Sequence, residues 1–361
     1  MNVVSLFSGC GGLDWGFKKE GFNIIWANDF IEDVCNSYRK NIGNHIICKN
    51  ILEVDIKSIP SADLLIGGPP CQGFSGIGKR DPEDERSMLV WTFLDILEHV
   101  KPSVFLFENV VGIKSAKTPD GNKVIDELTT AFGNLGYLVN TFTLNSADYG
   151  VPQKRRRVFI LGNNKFLDLG APLKTHDESD KNYKKWVSSG EALGDLSPAS
   201  ISGIAKYTKT PDNPFLNFVR GECDETDLHF IPKSSDKDME IIRCVKPGGN
   251  YMDVPDEIAT KRILNFKKTG GRTTTYGRLD PSKPAYTINT YFDRPNVGCN
   301  IHYEEDRLIS IREGLRLQSF PDDFSLCSST KRNYYLQVGN AVPPLLSWAW
   351  AKHIKKILKV K

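Results

Sequence analysis

The sequence predicts a doubly wound α/β sheet accompanied by a smaller, irregular domain. Three observations carry this. Short apolar runs alternate with segments of helical periodicity through the first half of the chain. Glycine-rich or polar punctuation closes successive apolar runs, as at the ligand-binding edge of an open α/β sheet. The alternation then lapses near Pro172 into a stretch rich in Lys, Asp, Ser, Pro and Gly.

The elements follow in order. Val3–Phe7 reads as a strand ending at Ser8-Gly9-Cys10-Gly11-Gly12, with a helix from about Leu13. Ile24–Ala27 is a second strand, ending at Asn28-Asp29, and Leu64–Ile66 another, ending at Gly67-Gly68-Pro69-Pro70. Leu89, Phe93, Ile96, Leu97 and Val100 recur at helical spacing. Val104–Phe107 is a buried strand ending at Glu108-Asn109, followed by an amphipathic helix carrying Val124, Leu128, Phe132 and Leu135. Regular character returns at Ile309–Leu317, and Pro343-Pro344 introduces a last helix, Leu345–Leu358. The division expected is 1–171 for the sheet domain, 172–324 for the irregular domain with its core at about 172–272, and 325–361 returning to the first.

Composition excludes more than it assigns. A chain of 361 residues with 40% hydrophobic and 25% charged residues is ordinary for a soluble globular protein. No run is long enough to span a bilayer and no secretory pattern opens the chain, so a cytoplasmic location is expected. Its cysteines and histidines are scattered, which predicts neither a metal site nor a disulfide framework. The net charge of +3 says little. Between Lys174 and Arg272, however, basic residues sit beside aromatics, as in Lys184-Lys185-Trp186 and Lys206-Tyr207. That suits phosphate contacts, and equally a solvated, loop-rich surface.

The punctuation carries the chemistry. A turn such as Ser8–Gly12 lets backbone amides approach an anionic group, for example the carboxylate of an amino-acid moiety, though any tight strand-to-helix turn reads alike. Asp29 could accept from two ribose hydroxyls or cap a helix. In Gly67-Gly68-Pro69-Pro70-Cys71-Gln72 two prolines stiffen the backbone and aim a thiol from beyond a strand end, which points to a nucleophile rather than a small core residue. Glu108, buried among apolar neighbours, would have a raised proton affinity and could donate a hydrogen bond; alternatively it caps the next segment. Gln153, Arg155 and Arg157 would share one face of a strand running into Val158–Leu161, suited to carboxylate, phosphate or a base edge, or forming a basic edge strand.

Taken together, these motifs resemble those of the cytosine-5 DNA methyltransferases found in bacterial restriction–modification systems. The matches are Phe7–Gly12 with Leu13-Asp14, Pro69-Pro70-Cys71-Gln72, Glu108-Asn109-Val110, Gln153 through Arg157, Arg312-Glu313 with Arg316–Pro321, and Gly339–Pro344. They stand in the family's order and span nearly the whole chain.

The resemblance implies a Rossmann-like, S-adenosylmethionine-dependent methyltransferase sheet with a target-recognition domain. It implies a cofactor site made of Phe7, Ser8, Gly9, Cys10, Gly11, Gly12, Leu13, Asp29 at the ribose, Phe30 against the adenine, Asn50, Ile51, Pro69, Leu89, Asn340 and Ala341. Asn50 departs from the family's usual Asp; its carbonyl could still accept from the adenine amino group, without charge. Cys71 would add to C6 of a flipped cytosine, Glu108 would hydrogen-bond the ring, and Arg155 and Arg157 would hold the substrate. Gln72, Ser75, Gln153 and Arg272 would contact DNA, and the segment from 172 to 272 would read base edges. The implied partners are duplex DNA and a cognate restriction endonuclease, with the protein a monomer.

Other readings fit less well. Amino-methyltransferases usually follow Pro-Pro with an aromatic residue and need no thiol. A tRNA-directed relative would carry a Cys-Phe-Thr signature, absent here. A nicotinamide-dependent oxidoreductase would need glycine where Asp14 stands. A catalytically dead DNA-binding relative would not need Cys71, Glu108 and Arg157 intact.

Overall fold

Strands buried on both faces must be largely apolar, and the central runs Val3–Leu6, Leu64–Gly67 and Val104–Phe107 are. The structure is a computed structural model that describes residues 1–70, 85–118 and 120–359. Its main sheet contains β1 (Asn2–Leu6), β2 (Asn23–Asp29), β3 (Ile46–Cys48), β4 (Leu64–Gly67), β5 (Val104–Val110), β6 (Leu138–Asn145) and β7 (Arg156–Asn163). The order is β3-β2-β1-β4-β5-β7-β6. The first five strands pair in parallel, while β7 runs antiparallel between β5 and β6. The order reverses between β1 and β4, so the crevice outside their carboxyl ends is where such a sheet takes a ligand.

Helices in the described residues are α1 (Gly12–Lys19), α2 (Glu32–Asn41), α3 (Glu85–Val100), α4 (Val124–Asn134), α5 (Ser189–Leu193), α6 (Pro214–Arg220), α7 (Asp236–Cys244), α8 (Lys261–Thr269), α9 (Ile311–Leu317), α10 (Lys331–Asn340) and α11 (Pro344–Lys359). No helix is long and apolar enough to cross a membrane among the described residues. The chain divides into two compact units: Met1–Asn145, Arg156–Leu173 and Leu346–Lys361 form unit 1; Ser146–Arg155 and Lys174–Leu345 form unit 2. The stretch 325–345, expected with the sheet, clusters instead with the second unit, and so does Ser146–Arg155.

Unit 1 is held by aromatic packing. Phe93 of α3 and Phe132 of α4 meet Phe105 and Phe107 of β5, with ring centroids 4.6–6.2 Å apart, and all four side chains are fully buried. Each contributes roughly 1.5–3 kcal/mol by leaving water. On β6 and β7, Phe142 and Phe159 pack against Trp350 of α11. That helix lies hard against α1. A Cβ on Gly16 would fall 2.3 Å from the Trp348 nitrogen, and the Ser347 hydroxyl donates to the Leu13 carbonyl. The start of α1 is thereby fastened at the place where the glycine-rich turn feeds it.

Unit 2 has short helices and two minimal ladders, β8 (Ala205–Lys206) with β9 (Glu225–Thr226) and β10 (Gly277–Arg278) with β11 (Cys299–Ile301). Capping boxes Ser188/Glu191 and Ser310/Glu313 start α5 and α9. One apolar core gathers Ile241, Ile242, Tyr251, Val254, Ile263 and Tyr276. So little regular structure leaves many carbonyls without a partner amide, and buried arginines supply the donors. Arg312 donates to the carbonyls of Asp227, Pro321 and Phe324, and Arg278 to those of Ile242, Val245, His302 and Glu305. Arg316, fully buried, pairs with Asp195 and Asp322 and donates to the Ala192 carbonyl.

Candidate active site

In unit 1 the predicted turns do converge on the carboxyl edge of the sheet. The first follows β1. Phe7, Gly9 and Gly11 all take positive φ, at 53°, 57° and 98°. Gly11 has no alternative, because a Cβ there would lie 2.5 Å from Ile42 Cγ1. Gly9 differs: a Cβ there would meet nothing within 4 Å, so the loop has open room beside it. Three amides expected to face a ligand are already engaged. Ser8 N–H donates to the Asn28 carbonyl, Gly9 N–H to the Asp29 carboxylate and Gly11 N–H to the Ser8 carbonyl. Cys10 is buried, and burial pushes its thiol up to about 12. Gly12 and Leu13 begin α1 and are buried.

Asp29 lies at the carboxyl end of β2. Its carboxylate accepts from Gly9 N (3.0 Å), Phe30 N (2.8 Å) and Ile31 N (3.2 Å), so it ties the glycine turn to the segment that leads into α2, whose own N-cap, Ile31, has no side-chain cap bond. Burial raises its proton affinity, and those three amides oppose the rise. Phe30 next to it is 66% exposed, a bare aromatic face at the sheet edge. Asn50 is exposed, and its side-chain carbonyl caps the turn Ile51–Glu53 through Leu52 N (3.2 Å). Ile51 and Leu89 pack into or against the hydrophobic core.

The ends of β4 and β5 are locked together. The Asn109 amide donates to the Pro69 carbonyl at 3.0 Å, with both residues buried. A Cβ on Gly68 would stand 2.9 Å from Glu108 Oε2, so the glycine makes the seat for that carboxylate. Glu108 and Arg157 then meet diagonally across the ladder. Glu108 pairs with Phe159 and Val110 with Arg157, which brings Arg157 Nε within 3.1 Å of Glu108 Oε1. Glu108 is thus not surrounded by apolar groups alone, as the sequence suggested, but has a buried guanidinium for a neighbour. Burial lowers the Arg157 pKa and Glu108 opposes this. Cys71, Gln72 and Ser75 lie outside the described residues.

Two predicted residues turn out differently in unit 2. The strand begins at Arg156, so Gln153 and Arg155 precede it and share no strand face with Arg157. Gln153 is fully buried: its amide donates to the Leu317 carbonyl (3.2 Å) and its carbonyl accepts from Ile288 N (2.9 Å). It has no surface to offer DNA. Arg155, also fully buried, donates to the carbonyls of Ile288 (3.0 Å) and Gly339 (2.8 Å). It braces the backbone before Asn340 rather than meeting a substrate. Gly339 is needed there, since a Cβ would lie 2.4 Å from Thr290 N. Asn340 itself is exposed and Ala341 buried, and Arg272 is exposed.

One group of possible metal ligands occurs among the described residues, His302, Glu305 and Glu313. Arg307 sits on both carboxylates at 2.6 and 2.8 Å, so the group is an ion-pair network.

An open sheet with a glycine turn after its first strand, an acid after its second and a Pro-Pro edge clamped to a buried acid defines a class of ligand-binding α/β enzymes. The family model for C-5 cytosine-specific DNA methylases matches residues 1–356, and the chain belongs to that family. It is a DNA cytosine-5 methyltransferase, and such an enzyme requires a methyl donor. Among similar proteins, Type II methyltransferase M.NgoFVII of Neisseria gonorrhoeae is 36% identical over 95% of this chain and 83% of its own length. Type II methyltransferase M.DdeI of Desulfomicrobium norvegicum is 33% identical over 98% of this chain and 88% of its own. In fold, the chain is similar to a solved prophage-encoded DNA modification methyltransferase from E. coli, with TM-score 0.76, 23% identity and 99% of each chain covered.

Proposed function

We propose that the protein methylates C5 of cytosine within a specific duplex sequence, with S-adenosylmethionine as donor, as the modification enzyme of a restriction–modification system. The Type II relatives support that setting, a cognate endonuclease acting on the same site, and a cytoplasmic location. The amino-acid end of the donor is assigned to Phe7–Gly12, where the space beside Gly9 gives it room. Phe30 offers a face to its adenine. When bound, the donor supplies an activated methyl group.

The single observation that carries the chemistry is the lock between strand ends: Asn109 on the Pro69 carbonyl, and Glu108 seated on Gly68. Cytosine C5 is a poor nucleophile until a group adds at C6. The Cys71 thiolate would make that bond while Glu108, oriented by Arg157, hydrogen-bonds the ring. C5 then accepts the methyl group, loses its proton, and the C6–sulfur bond breaks to return the thiolate. The reacting base must leave the duplex stack first. Burial raises the thiols of Cys10, Cys35, Cys48, Cys223 and Cys299, which makes them poor rivals for this role.

The test is a duplex with 5-fluorocytosine at the target. Fluorine cannot leave as a proton does, so the enzyme should be trapped after methyl transfer in an adduct that survives denaturation. Mass spectrometry should place the nucleotide on Cys71, and Cys71→Ala should form no adduct. A nucleotide on any other residue overturns the mechanism. DNA contacts are assigned to Gln72, Ser75, Arg272 and the basic residues around it, and binding should weaken steeply as salt rises.

A further inference from the structure

Beneath the glycine turn lies a chain of buried hydrogen bonds whose donor directions are fixed. Asp14, fully buried in the first turn of α1, accepts from Ser5 Oγ at 3.0 Å and from Tyr38 OH at 2.8 Å. The Ser5 hydroxyl spends its one hydrogen on Asp14, so toward Ser8 it can only accept. It does so: Ser8 Oγ donates to Ser5 Oγ at 2.9 Å, with the Ser5 carbonyl a second acceptor at 3.2 Å. The Ser8 hydrogen is therefore committed inward. Toward the open side of the turn, its oxygen has lone pairs alone.

Tyr38 serves the same arrangement from below. Its hydroxyl is held by Asp14 on one side and by His45 Nε2 at 3.0 Å on the other, and its ring lies 3.3 Å from where a Gly11 Cβ would be. An ionised carboxylate thus polarises two hydroxyls in series, Ser5 and then Ser8, and such series strengthen one another in a low-dielectric interior.

We propose that Asp14 is a positioning residue for the methyl donor: acting through Ser5, it presents the Ser8 oxygen as a hydrogen-bond acceptor for the protonated amino group at the donor's amino-acid end. This rests on the assignment of the Phe7–Gly12 turn to that end. The relay makes the turn selective for an ammonium group, which can only donate, over a ligand lacking one.

The test measures binding by calorimetry with two probes, S-adenosylhomocysteine and its analogue without the amino group. The unaltered enzyme should favour the amino-bearing probe. Ser8→Ala should lose roughly tenfold in affinity for that probe and almost nothing for the other. The relay itself is tested in a Tyr38→Phe background, which leaves Asp14 with Ser5 and should keep the preference. Adding Asp14→Ala there removes the acceptor of the Ser5 hydrogen, which is then free to point at Ser8 and occupy a lone pair. The preference should fall by a similar factor. Should that double variant not fold, Ser5→Ala takes its place, with a loss of about threefold expected.

A preference that survives these changes, or affinities for both probes that fall together, overturns the proposal. Gly9→Ala in the same assay separates the two readings. If it leaves both affinities unchanged, the turn does not hold the donor at all. If it weakens both while Ser8→Ala spares the preference, only the relay fails.

Discussion

In unit 1, Phe93, Phe105, Phe107 and Phe132 fill the space over a sheet whose backbone groups are already paired strand to strand. In unit 2, the comparably buried side chains include Arg155, Arg312 and Arg316, which hold carbonyls that no ladder reaches. The difference follows from secondary structure. Regular pairing frees side chains to be apolar, whereas irregular backbone needs donors brought to it, and a guanidinium brings five in a fixed fork. The two interiors should therefore break in different ways.

The largest effect is expected where a guanidinium is removed and its partners stay. Arg316→Met takes the nearest cation from buried Asp195 and Asp322, leaving only the longer approaches of Arg220 (3.7 Å) and Arg312 (4.0 Å), and should cost about 3–5 kcal/mol in urea unfolding. Loss of under 1 kcal/mol would mean that the arginines of unit 2 are dispensable filler. The corresponding insult to unit 1 is steric. Gly162→Ala would place a Cβ 2.0 Å from the Phe105 ring and should cost about 1–3 kcal/mol by overpacking.

Acid should separate the units by sign. Burial alone would push the Glu313 carboxyl up, but Arg307 overrides it and holds Glu313 far below the usual carboxylate range. Its contribution is present above the unfolded pKa near ~4.3 and is lost as pH falls toward the depressed folded value. Asp14 is the reverse. Burial raises it to about 6, so its native state gains protons, and stability, as pH falls from ~6 to ~4. Hydrogen exchange resolved by segment should show α9 losing protection below pH ~4, while α1 gains between pH ~6 and ~4. Parallel loss in both would remove the distinction. The smallest effect is Arg155→Lys, which keeps the charge but reaches one carbonyl instead of two, at about 0.5–1.5 kcal/mol.

What the sequence made legible follows the same divide. The ends of β1, β2, β4 and β5 were readable because strands buried on both faces are written as apolar runs, and their punctuation then stands out. Asp29 was left between cap and ligand; its carboxylate accepts three amides that all lie ahead of α2, a linkage neither alternative described. Gln153 and Arg155 were misread because a polar run carries no sign of burial; charge ordinarily marks surface. The basic stretch of unit 2 was read as suiting either phosphate contacts or a solvated surface. There Lys174, Lys209, Lys237 and Lys267 pair with nearby acids, and Arg220 lies 3.8 Å from the Tyr207 ring centre. The roles of Asn109 and Gly68 were hidden for another reason. Both act through residues some forty positions away, across a strand pairing that local sequence does not announce.

The fastening of α11 onto α1 sets an order of events during synthesis. Every strand of unit 1 is translated before residue 174, yet Ser347, Trp348 and Trp350 come only after the whole of unit 2 has been made. At ~5–20 residues per second, the roughly 170 intervening residues take some tens of seconds at the slow end. During that interval Phe159 lacks its Trp350 cover and the turn at Gly9 rests on a helix still unsecured at Gly16. The nascent chain thus completes unit 2 before the start of α1 has its final support.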